Sequence, residues 1–192
     1  VDATESGQST ARSIAPNTEI TDSLVDVLRN DQIQGVALAT PAETHAELAI
    51  QAMQSGKDVF VEKPMALTLE DAEKMKEVAE ETGRILMVGH LLEYHPAVLK
   101  LREMIASGDL GKINYIYSNR LNFGKVRTEE NALWSFAPHD VAVILRLIGQ
   151  APLEVSSIGG SYLTNGIADT TMSNLRFDDE SRAHIFVSWL HP

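Results

Sequence analysis

The chain has 192 residues, of which 44% are hydrophobic and 22% are charged, as in an ordinary globular protein. Its net charge of -11 argues against nucleic acid as a partner, because phosphate binding requires a basic surface. The absence of cysteine excludes disulfide bonds, a thiolate nucleophile and cysteine-bound metals. No apolar run approaches the roughly 20 residues that span a bilayer, and no signal-peptide pattern is visible, so we expect a cytoplasmic protein.

The first half of the chain alternates short apolar runs with helical patterns. The runs lack apolar-polar alternation, as expected for parallel strands covered on both faces. Strand-helix-strand repetition at this spacing is typical of a doubly wound sheet. We therefore predict an incomplete Rossmann-like parallel α/β domain over residues 1–90. The predicted strands are "GVALAT", "DVFV" and "ILMVG", and the predicted helices are "ESGQSTARSIA", "SLVDVLRN", "PAETHAELAIQAMQSG" and the segment from Thr68 to Gly83.

Capping signals mark several ends of these helices. Asp22 is the predicted N-cap of the second helix, and Gly56 is the predicted C-cap of the third. Thr68 and Asp71 resemble a variant of the capping box at the start of the fourth helix, which Gly83 closes.

Both ends of the chain have the pattern of interrupted strands. Val1-Asp2-Ala3 reads as the end of a strand whose beginning is absent, and "SRAHIFVSWLHP" as an apolar strand with nothing visible to follow it. Because a bare sheet edge invites unwanted pairing, we expect a fragment of a longer protein.

The second half, residues 91–192, has a different pattern of predicted secondary structure, with longer strands joined by short turns. We predict a second, α+β domain with a mostly antiparallel sheet. Its predicted helices are "HPAVLKLREMIASG" and "PHDVAVILRLIG", and its predicted strands are "KINYIYSNRLNFG", "LEVSSIGGSYL", "TTMSNLRFD" and "RAHIFVSWL", with a hairpin turn at "FDDES".

Polar residues follow two of the predicted parallel strands. Thr40-Pro41 comes after the first strand and Glu62-Lys63-Pro64 after the second. Ligands of open α/β sheets bind at the carboxyl ends of the strands, so both segments should line one crevice. Pro64 disfavours helical geometry at Lys63. The alternative is a surface lysine paired with Glu62.

These residues carry a family resemblance. "TPAETHAELAIQAMQSGKDVFVEKPMALT" resembles the dinucleotide-domain signature of the Gfo/Idh/MocA family of nicotinamide-dependent sugar and inositol dehydrogenases. "GHLLEYHPAVLKLREMIASGDLGKI" is similar to the entry into that family's second domain, and "LWSFAPHDVAVILRLIG" to its histidine-bearing helix. The resemblance extends over essentially the whole chain.

The resemblance implies a nicotinamide cofactor. Family members open with a glycine-rich phosphate loop in roughly 30 residues that have no counterpart here, so we expect this polypeptide to bind dinucleotide poorly and to be inactive as it stands. Asp2 matches the acid that takes the ribose hydroxyls, with a frayed terminal aspartate as the alternative. No arginine follows it, which favours NAD over NADP. The implied cofactor-binding residues are Asp2, Thr40, Pro41, His45, Glu62, Lys63 and Pro64, although a packing or capping role for His45 is equally open.

Oxidising a secondary alcohol requires a hydride acceptor and a group that takes the hydroxyl proton. A lysine can serve when its pKa is lowered by desolvation and a nearby cation, and a histidine titrates near neutrality. The resemblance assigns these parts to Lys63 and His139, one from each domain. We favour His139 as the proton acceptor and Lys63 as the group that polarises the oxygen, with the reverse left open.

One position departs from the family pattern. Many members carry an aspartate four residues before the histidine, where this chain has Ser135. Asp140 follows His139, but neighbouring side chains on a helix point apart, so we expect Asp140 to act only as an anion near the helix start. The pattern around His139 resembles the branch acting on UDP-sugars, notably the 3-dehydrogenases of UDP-N-acetylglucosaminuronate. The candidate substrate-binding residues are Tyr94, Asn119, Arg120, Asn122, Arg127, Asn131, Trp134 and Ser135, with a polar strand end and loop as the alternative.

Other functions remain open. The protein could oxidise a free sugar or inositol, or bind a ligand on the same fold without chemistry. His90, Glu93 and His95 do not form the H-E-x-x-H pattern, so we expect no metal. His184 and His191 are expected to be strand residues without chemistry. The resemblance also implies a homo-oligomer, because the open sheet face of the second domain commonly packs against a partner subunit in this family.

Overall fold

The computed structural model describes residues 1–123, 126–128 and 130–191. The chain divides into two compact units, Val1–Gly89 and His90–Pro192. In the described ranges, no helix is both long and apolar enough to cross a membrane.

The first unit contains a parallel sheet of three strands in the order β1-β2-β3. This confirms the predicted Rossmann-like arrangement, because β1 and β2 are each followed by a crossover to the next parallel strand. A 3-10 turn at Ala42–Thr44 leads into the third helix. The strands are β1 (Gly35–Leu38), β2 (Asp58–Val61) and β3 (Leu86–Val88), and the helices are α1 (Glu5–Ile14), α2 (Leu24–Arg29), α3 (His45–Gln54) and α4 (Leu69–Thr82).

The core of the first unit lies between the sheet and the helices α3 and α4. Val59 and Val61 of β2 are buried on the same face as Leu38 of β1. Met53 of α3 and Met75 of α4 close over them and have no exposed surface. Burial of apolar side chains on one face of β2 therefore holds both helices against the strands that carry the predicted polar corners.

Helix ends in this unit follow the predicted capping chemistry with two corrections. The Thr68 hydroxyl accepts a hydrogen bond from the Asp71 backbone N–H and donates one to the Asp71 carboxylate, and Gly83 ends α4 with a φ of 64°. The N-cap of α2 is Ser23 rather than Asp22, because the Ser23 hydroxyl is the group that accepts from the first turn. The C-cap of α3 is Ser55, one residue before the predicted glycine.

The prediction of a strand at Val1-Asp2-Ala3 is wrong. These residues form no strand in the structure. The Asp2 backbone N–H instead donates to the Thr21 carbonyl oxygen, and Thr4 begins α1 as its N-cap. The segment therefore precedes the N-cap of α1 and leads into that helix without forming a strand.

The second unit contains a four-stranded sheet in the order β4-β7-β6-β5. β5, β6 and β7 pair antiparallel, whereas β4 runs parallel to β7, so the predicted mostly antiparallel sheet is confirmed. The predicted first strand extended to Gly124, which lies outside the described residues. The strands are β4 (Tyr115–Leu121), β5 (Glu154–Gly160), β6 (Thr170–Arg176) and β7 (Arg182–Ser188), and the helices are α5 (Pro96–Ala106) and α6 (Ala132–Ile148), with a 3-10 turn at Leu91–Tyr94.

Helix α6 begins six residues before its predicted start. The prediction placed Pro138 in the first turn, but the helix starts after Asn131, whose side chain accepts a hydrogen bond from the Trp134 backbone N–H. Pro138 is therefore inside the helix, where its missing N–H removes a backbone hydrogen bond. Ile144 of α6 packs with Ile185 of β7 in the core of this unit, and that burial outweighs the local cost of the proline.

Asp169, just before β6, anchors the end of this core. Its side chain is fully buried, and its carboxylate accepts hydrogen bonds from the Leu163 and Tyr162 backbone N–H groups and from the Trp189 ring N–H. Burial opposes ionisation, but these three bonds outweigh it and hold the pKa of Asp169 below its usual value. Its contribution to stability is therefore present above the unfolded-state pKa and is lost as the pH falls through the lower folded-state pKa.

Asp169→Asn should lower the free energy of unfolding by about 2 kcal/mol at neutral pH, because a neutral amide cannot accept all three bonds. The difference from the parent should shrink in acid, where Asp169 itself is protonated. Urea unfolding followed by tryptophan fluorescence measures both values, since Trp134 and Trp189 lie in this unit. Asp178→Asn, in the exposed turn before β7, is the control and should change little. An equal loss at every pH would contradict the account.

Candidate functional site

The carboxyl ends of the three parallel strands meet at one edge of the first unit. The ladder continues one residue beyond the strands: the Glu62 N–H donates to the Leu38 carbonyl oxygen at 2.9 Å and the Gly89 N–H to the Val61 carbonyl oxygen at 2.8 Å. Thr40-Pro41, Glu62-Lys63-Pro64 and Gly89 therefore lie side by side at this edge.

Lys63 lies on a non-helical corner directly after β2. The Lys63-Pro64 peptide bond is cis. The Glu62 carboxylate accepts a hydrogen bond from the Lys63 backbone N–H at 3.1 Å. Glu62 thus contributes to the conformation of the backbone that carries the lysine.

Gly89 leaves space for the Glu62 carboxylate, and this role was not predicted from the sequence. A Cβ atom at Gly89 would lie 3.2 Å from both the Glu62 Cδ and Oε2 atoms, closer than ordinary contact. The glycine therefore leaves room for a carboxylate that the neighbouring corner uses. A glycine directly after an apolar parallel strand was the available signal.

His45, at the start of α3, lies beneath the same edge. Its side chain is only 1% exposed. The ring Nδ1 is 2.8 Å from the Pro64 carbonyl oxygen, and Nε2 is 2.9 Å from the Thr40 carbonyl oxygen. Both ring nitrogens therefore contact protein backbone, which is the packing role left open for this residue.

Asp2 is held in place at the start of α1. Its Oδ1 atom accepts hydrogen bonds from both the backbone N–H and the hydroxyl of Thr4. The Thr4 hydroxyl bond and then the Thr4 backbone bond lower the pKa of Asp2. Its carboxylate lies against Gly7, where an added Cβ would be 2.2 Å from Oδ2. The Asp2 carboxylate is thus tied by hydrogen bonds to the start of α1.

In the second unit, α6 carries the predicted histidine. Asn131, Ser135 and His139 are spaced four residues apart, so they share one face of the helix. Ser135 is buried at 7% exposure. The Asn131 side chain is the N-cap of the helix, so the residue predicted to contact sugar hydroxyls also fixes where α6 begins.

Arg120 and Asp140 form a bidentate pair between β4 and α6. Arg120 Nε donates to Asp140 Oδ2 at 2.8 Å and Nη2 donates to Oδ1 at 3.4 Å, while the Ser118 hydroxyl donates to Oδ1 at 2.7 Å. The expectation that Asp140 acts only as an anion near the helix start is wrong, because α6 begins well before it and its carboxylate joins helix to strand. The Nε and Nη2 groups of Arg120, the residue predicted to hold substrate, are therefore already bonded to Asp140.

The other substrate candidates do not form one cluster with Arg120. Asn119 lies on the opposite face of β4, in a cross-strand row with Phe186, Met172 and Ile158. Arg127 forms an ion pair with Glu130 at 2.9 Å. The remaining candidates are exposed or partly exposed, and these are Tyr94 in the 3-10 turn, Asn122 after β4 and Trp134 in the first turn of α6.

Three further histidines, His95, His184 and His191, have structural contacts. His95 is the N-cap of α5, with its Nδ1 accepting from the Ala97 N–H, and Glu93 pairs with Arg146 at 3.7 Å. His184 stacks on Tyr117 with ring centroids 5.1 Å apart, and His191 meets Phe186 edge-on. Within the described part of the chain, no group of three His, Asp or Glu side chains is arranged to hold a metal ion.

Comparison with known families identifies the two units separately. Residues 1–90 match the family model described as "Oxidoreductase family, NAD-binding Rossmann fold", and residues 98–192 match the "GFO/IDH/MocA C-terminal domain". The chain belongs to the Gfo/Idh/MocA family of oxidoreductases. The N-terminal unit is thus of the NAD-binding class.

Several known proteins are similar to the chain. It is 28% identical to the 2,7-anhydro-N-acetylneuraminate hydratase of Mediterraneibacter gnavus, over 93% of this chain and 51% of that protein. It is 28% identical to the NAD-dependent scyllo-inositol 2-dehydrogenase of Bacillus subtilis, over 87% and 52%. It is 30% identical to the UDP-N-acetylglucosamine 3-dehydrogenase of Acidithiobacillus ferrooxidans, over 70% and 42%. The chain spans about half the length of these relatives.

The solved structures show the fold. The crystal structure of a putative NADPH-dependent oxidoreductase from Desulfitobacterium hafniense matches with a TM-score of 0.90 at 22% identity, covering all of this chain and 58% of the other.

The residues of the first unit fit a nicotinamide dinucleotide. Such cofactors bind outside the carboxyl ends of parallel strands, where Thr40-Pro41 and the Lys63 corner lie. The fixed carboxylate of Asp2 is suited to accept hydrogen bonds from ribose hydroxyls.

Gly89→Ala should destabilise the first unit by about 1 kcal/mol, because the new methyl group crowds the Glu62 carboxylate. In a Glu62→Ala background the same substitution should be nearly neutral, since the crowded group is gone. Thermal unfolding by far-UV circular dichroism of the parent, both single variants and the double variant measures the coupling. Gly35→Ala, whose Cβ would meet its nearest atom at 3.4 Å, is the control. Additive effects at Gly89 and Glu62 would contradict the proposed contact.

Proposed function

We propose that the protein is an NAD-dependent dehydrogenase that oxidises a secondary hydroxyl of a sugar, namely a UDP-sugar acid at C3. The observation that supports this most strongly is the Lys63 corner. It lies at the carboxyl edge of a parallel sheet, held by Glu62 and by His45, in a unit of the NAD-binding class. The cytoplasm remains the predicted location.

Bound NAD would supply the hydride acceptor. In the proposed reaction, His139 takes the proton of the substrate hydroxyl, and the Lys63 ammonium polarises the same oxygen as negative charge develops. The reverse assignment, with Lys63 as base, stays open. Asp2 accepts hydrogen bonds from the ribose hydroxyls, and its negative charge would repel the additional phosphate of NADP. NAD is therefore the proposed cofactor.

The second unit supports a phosphorylated, acidic substrate. Arg120 and Arg127 are exposed enough to reach ligand, with side chains 35% and 46% exposed. Arg120 is already oriented by Asp140, and a guanidinium held on one edge can present its other N–H groups to a phosphate or carboxylate. The similarity to a UDP-N-acetylglucosamine 3-dehydrogenase supports the nucleotide-sugar class.

A dehydrogenase of a free sugar or inositol is the second candidate. The similarity to a scyllo-inositol 2-dehydrogenase covers more of the chain and favours this reading. A ligand-binding protein without catalysis, suggested by Ser135 in place of the usual aspartate, is the third.

Turnover should separate these candidates. We expect the full-length protein to form NADH from NAD and UDP-N-acetylglucosaminuronate, with a higher kcat/KM for NAD than for NADP. Lys63→Met should lower kcat by about 100-fold or more, because a positioned charge at the reacting oxygen is lost. Absorbance of NADH measures the rate.

Lys76→Met is the matched control, since this lysine of α4 has a 75% exposed side chain, and it should retain full activity. Equal turnover of scyllo-inositol without a nucleotide would favour the second candidate. Binding of the nucleotide-sugar without any NADH formation would contradict an enzyme.

We also propose that the uncovered face of the second sheet pairs with a second copy of the protein. This face carries Tyr115, Tyr117, Ile158 and Met172, which are 74%, 61%, 66% and 42% exposed. Exposed apolar side chains clustered on one sheet face are typical of an interface.

Tyr117→Glu should dissociate the full-length protein into monomers, because it places a charge among the exposed apolar side chains of this face. Sedimentation velocity measures the mass. Leu69→Glu, at a 73% exposed position of α4 in the first unit, is the control and should leave the assembly intact. A parent protein that sediments as a monomer would contradict the proposal.

A further inference from the structure

His45 makes an unusual pair of contacts for a buried histidine. Both ring nitrogens are within 2.9 Å of backbone carbonyl oxygens, those of Pro64 and Thr40, and the side chain is 1% exposed. A carbonyl oxygen only accepts hydrogen bonds, whereas a neutral imidazole has one N–H group. A neutral ring therefore donates to one of these two oxygens, and its tautomer decides which corner receives the bond.

The two carbonyl oxygens belong to the two polar corners. Thr40 follows β1, and its hydroxyl oxygen is 2.7 Å from that of Thr44. Pro64 follows Lys63, whose own N–H is bonded to Glu62. The backbone around Lys63 is therefore fixed from two sides, by the Glu62 carboxylate before it and by the His45 ring after it. His45 is the side chain that joins the corner after β2 to the corner after β1.

Charged residues near this end do not replace those contacts, because both ring nitrogens are directed at backbone oxygens. β1 carries no charged residue. The charged residues at this end of the elements that pack against α3 are Glu43 in the 3-10 turn, Glu47 in α3 itself, Glu62 and Lys63 after β2, and Glu70 and Asp71 in the first turn of α4.

We propose that His45 is a positioning residue for Lys63, and that its Nδ1–H group donates to the Pro64 carbonyl oxygen and sets the orientation of the lysine. The catalytic consequence rests on the dehydrogenase function proposed above. The structural consequence does not, because it concerns hydrogen bonds within the first unit alone.

Two amide substitutions separate the two bonds. The amide nitrogen of His45→Asn occupies the place of Nδ1 and can still donate to Pro64, whereas that of His45→Gln occupies the place of Nε2 and can still donate to Thr40. His45→Phe keeps the ring volume and donates to neither. If His45 only fills space, the phenylalanine variant should retain the highest kcat of the three. If His45 positions Lys63, the asparagine variant should retain the highest kcat.

In the full-length protein with NAD and UDP-N-acetylglucosaminuronate, kcat should fall by about 100-fold in His45→Gln and His45→Phe, as expected for a misplaced catalytic group. It should stay within about threefold of the parent in His45→Asn, by the same reasoning. Equal kcat losses in Gln and Asn variants of equal stability would overturn the inference while leaving the dehydrogenase intact.

A second measurement needs no turnover. In the protein labelled with ¹⁵N, the histidine ring signals are recorded, and His45 is assigned by its loss in His45→Asn. We expect a proton on Nδ1 of His45, and a Lys63 backbone amide signal that moves in His45→Gln and His45→Phe but stays near its parent position in His45→Asn. A proton on Nε2 alone, or a Lys63 signal that moves equally in all three variants, would overturn the inference.

Discussion

The parallel pairing of β2 with both β1 and β3 is the constraint on which the account of the first unit depends. It brings the last residues of three strands to one edge and continues into the turns, where Glu62 and Gly89 still donate to strand carbonyl oxygens. Because the strands end side by side, the glycine after β3 can make room for the carboxylate after β2. His45 can likewise reach the backbone after both β1 and β2. The Lys63 corner is thus supported by neighbours from every strand.

In the second unit, a helix cap and an ion pair fix the position of the helix that carries His139. Helix α6 is fixed along its axis by the Asn131 cap and across the sheet by the bond from Arg120 to Asp140. His139 immediately precedes Asp140, so the ion pair between Asp140 and Arg120 also fixes the backbone that carries the histidine. The Asp140 side chain is only 9% exposed, so its end of the ion pair is largely shielded from solvent. Helix α6 is thus anchored to β4 through the Asp140 carboxylate.

Local sequence patterns were sufficient to predict those features that depend on a single helix or strand. The unalternating run at β2 and the long segments joined by a short turn at β6 and β7 predicted strands of the right kind, and Thr68 and Gly83 predicted the ends of α4. The start of α6 was misplaced because Pro138 resembles a helix start, while burial of Ile144 against β7 stabilises a longer helix. The bond between Arg120 and Asp140 joins residues 20 apart, and no local pattern reports it. The contact between Gly89 and Glu62 is likewise visible only once register is known.

The central claim is that Lys63 and His139 act together on the proton and charge of one hydroxyl. Single-turnover NADH formation in the full-length protein tests this directly, with Lys63→Met, His139→Asn and the double variant compared. Groups that act as a unit have strongly non-additive effects. The account predicts that the double variant is about as slow as the slower single variant. Rate losses that multiply would show that the two side chains act in separate steps and would contradict it.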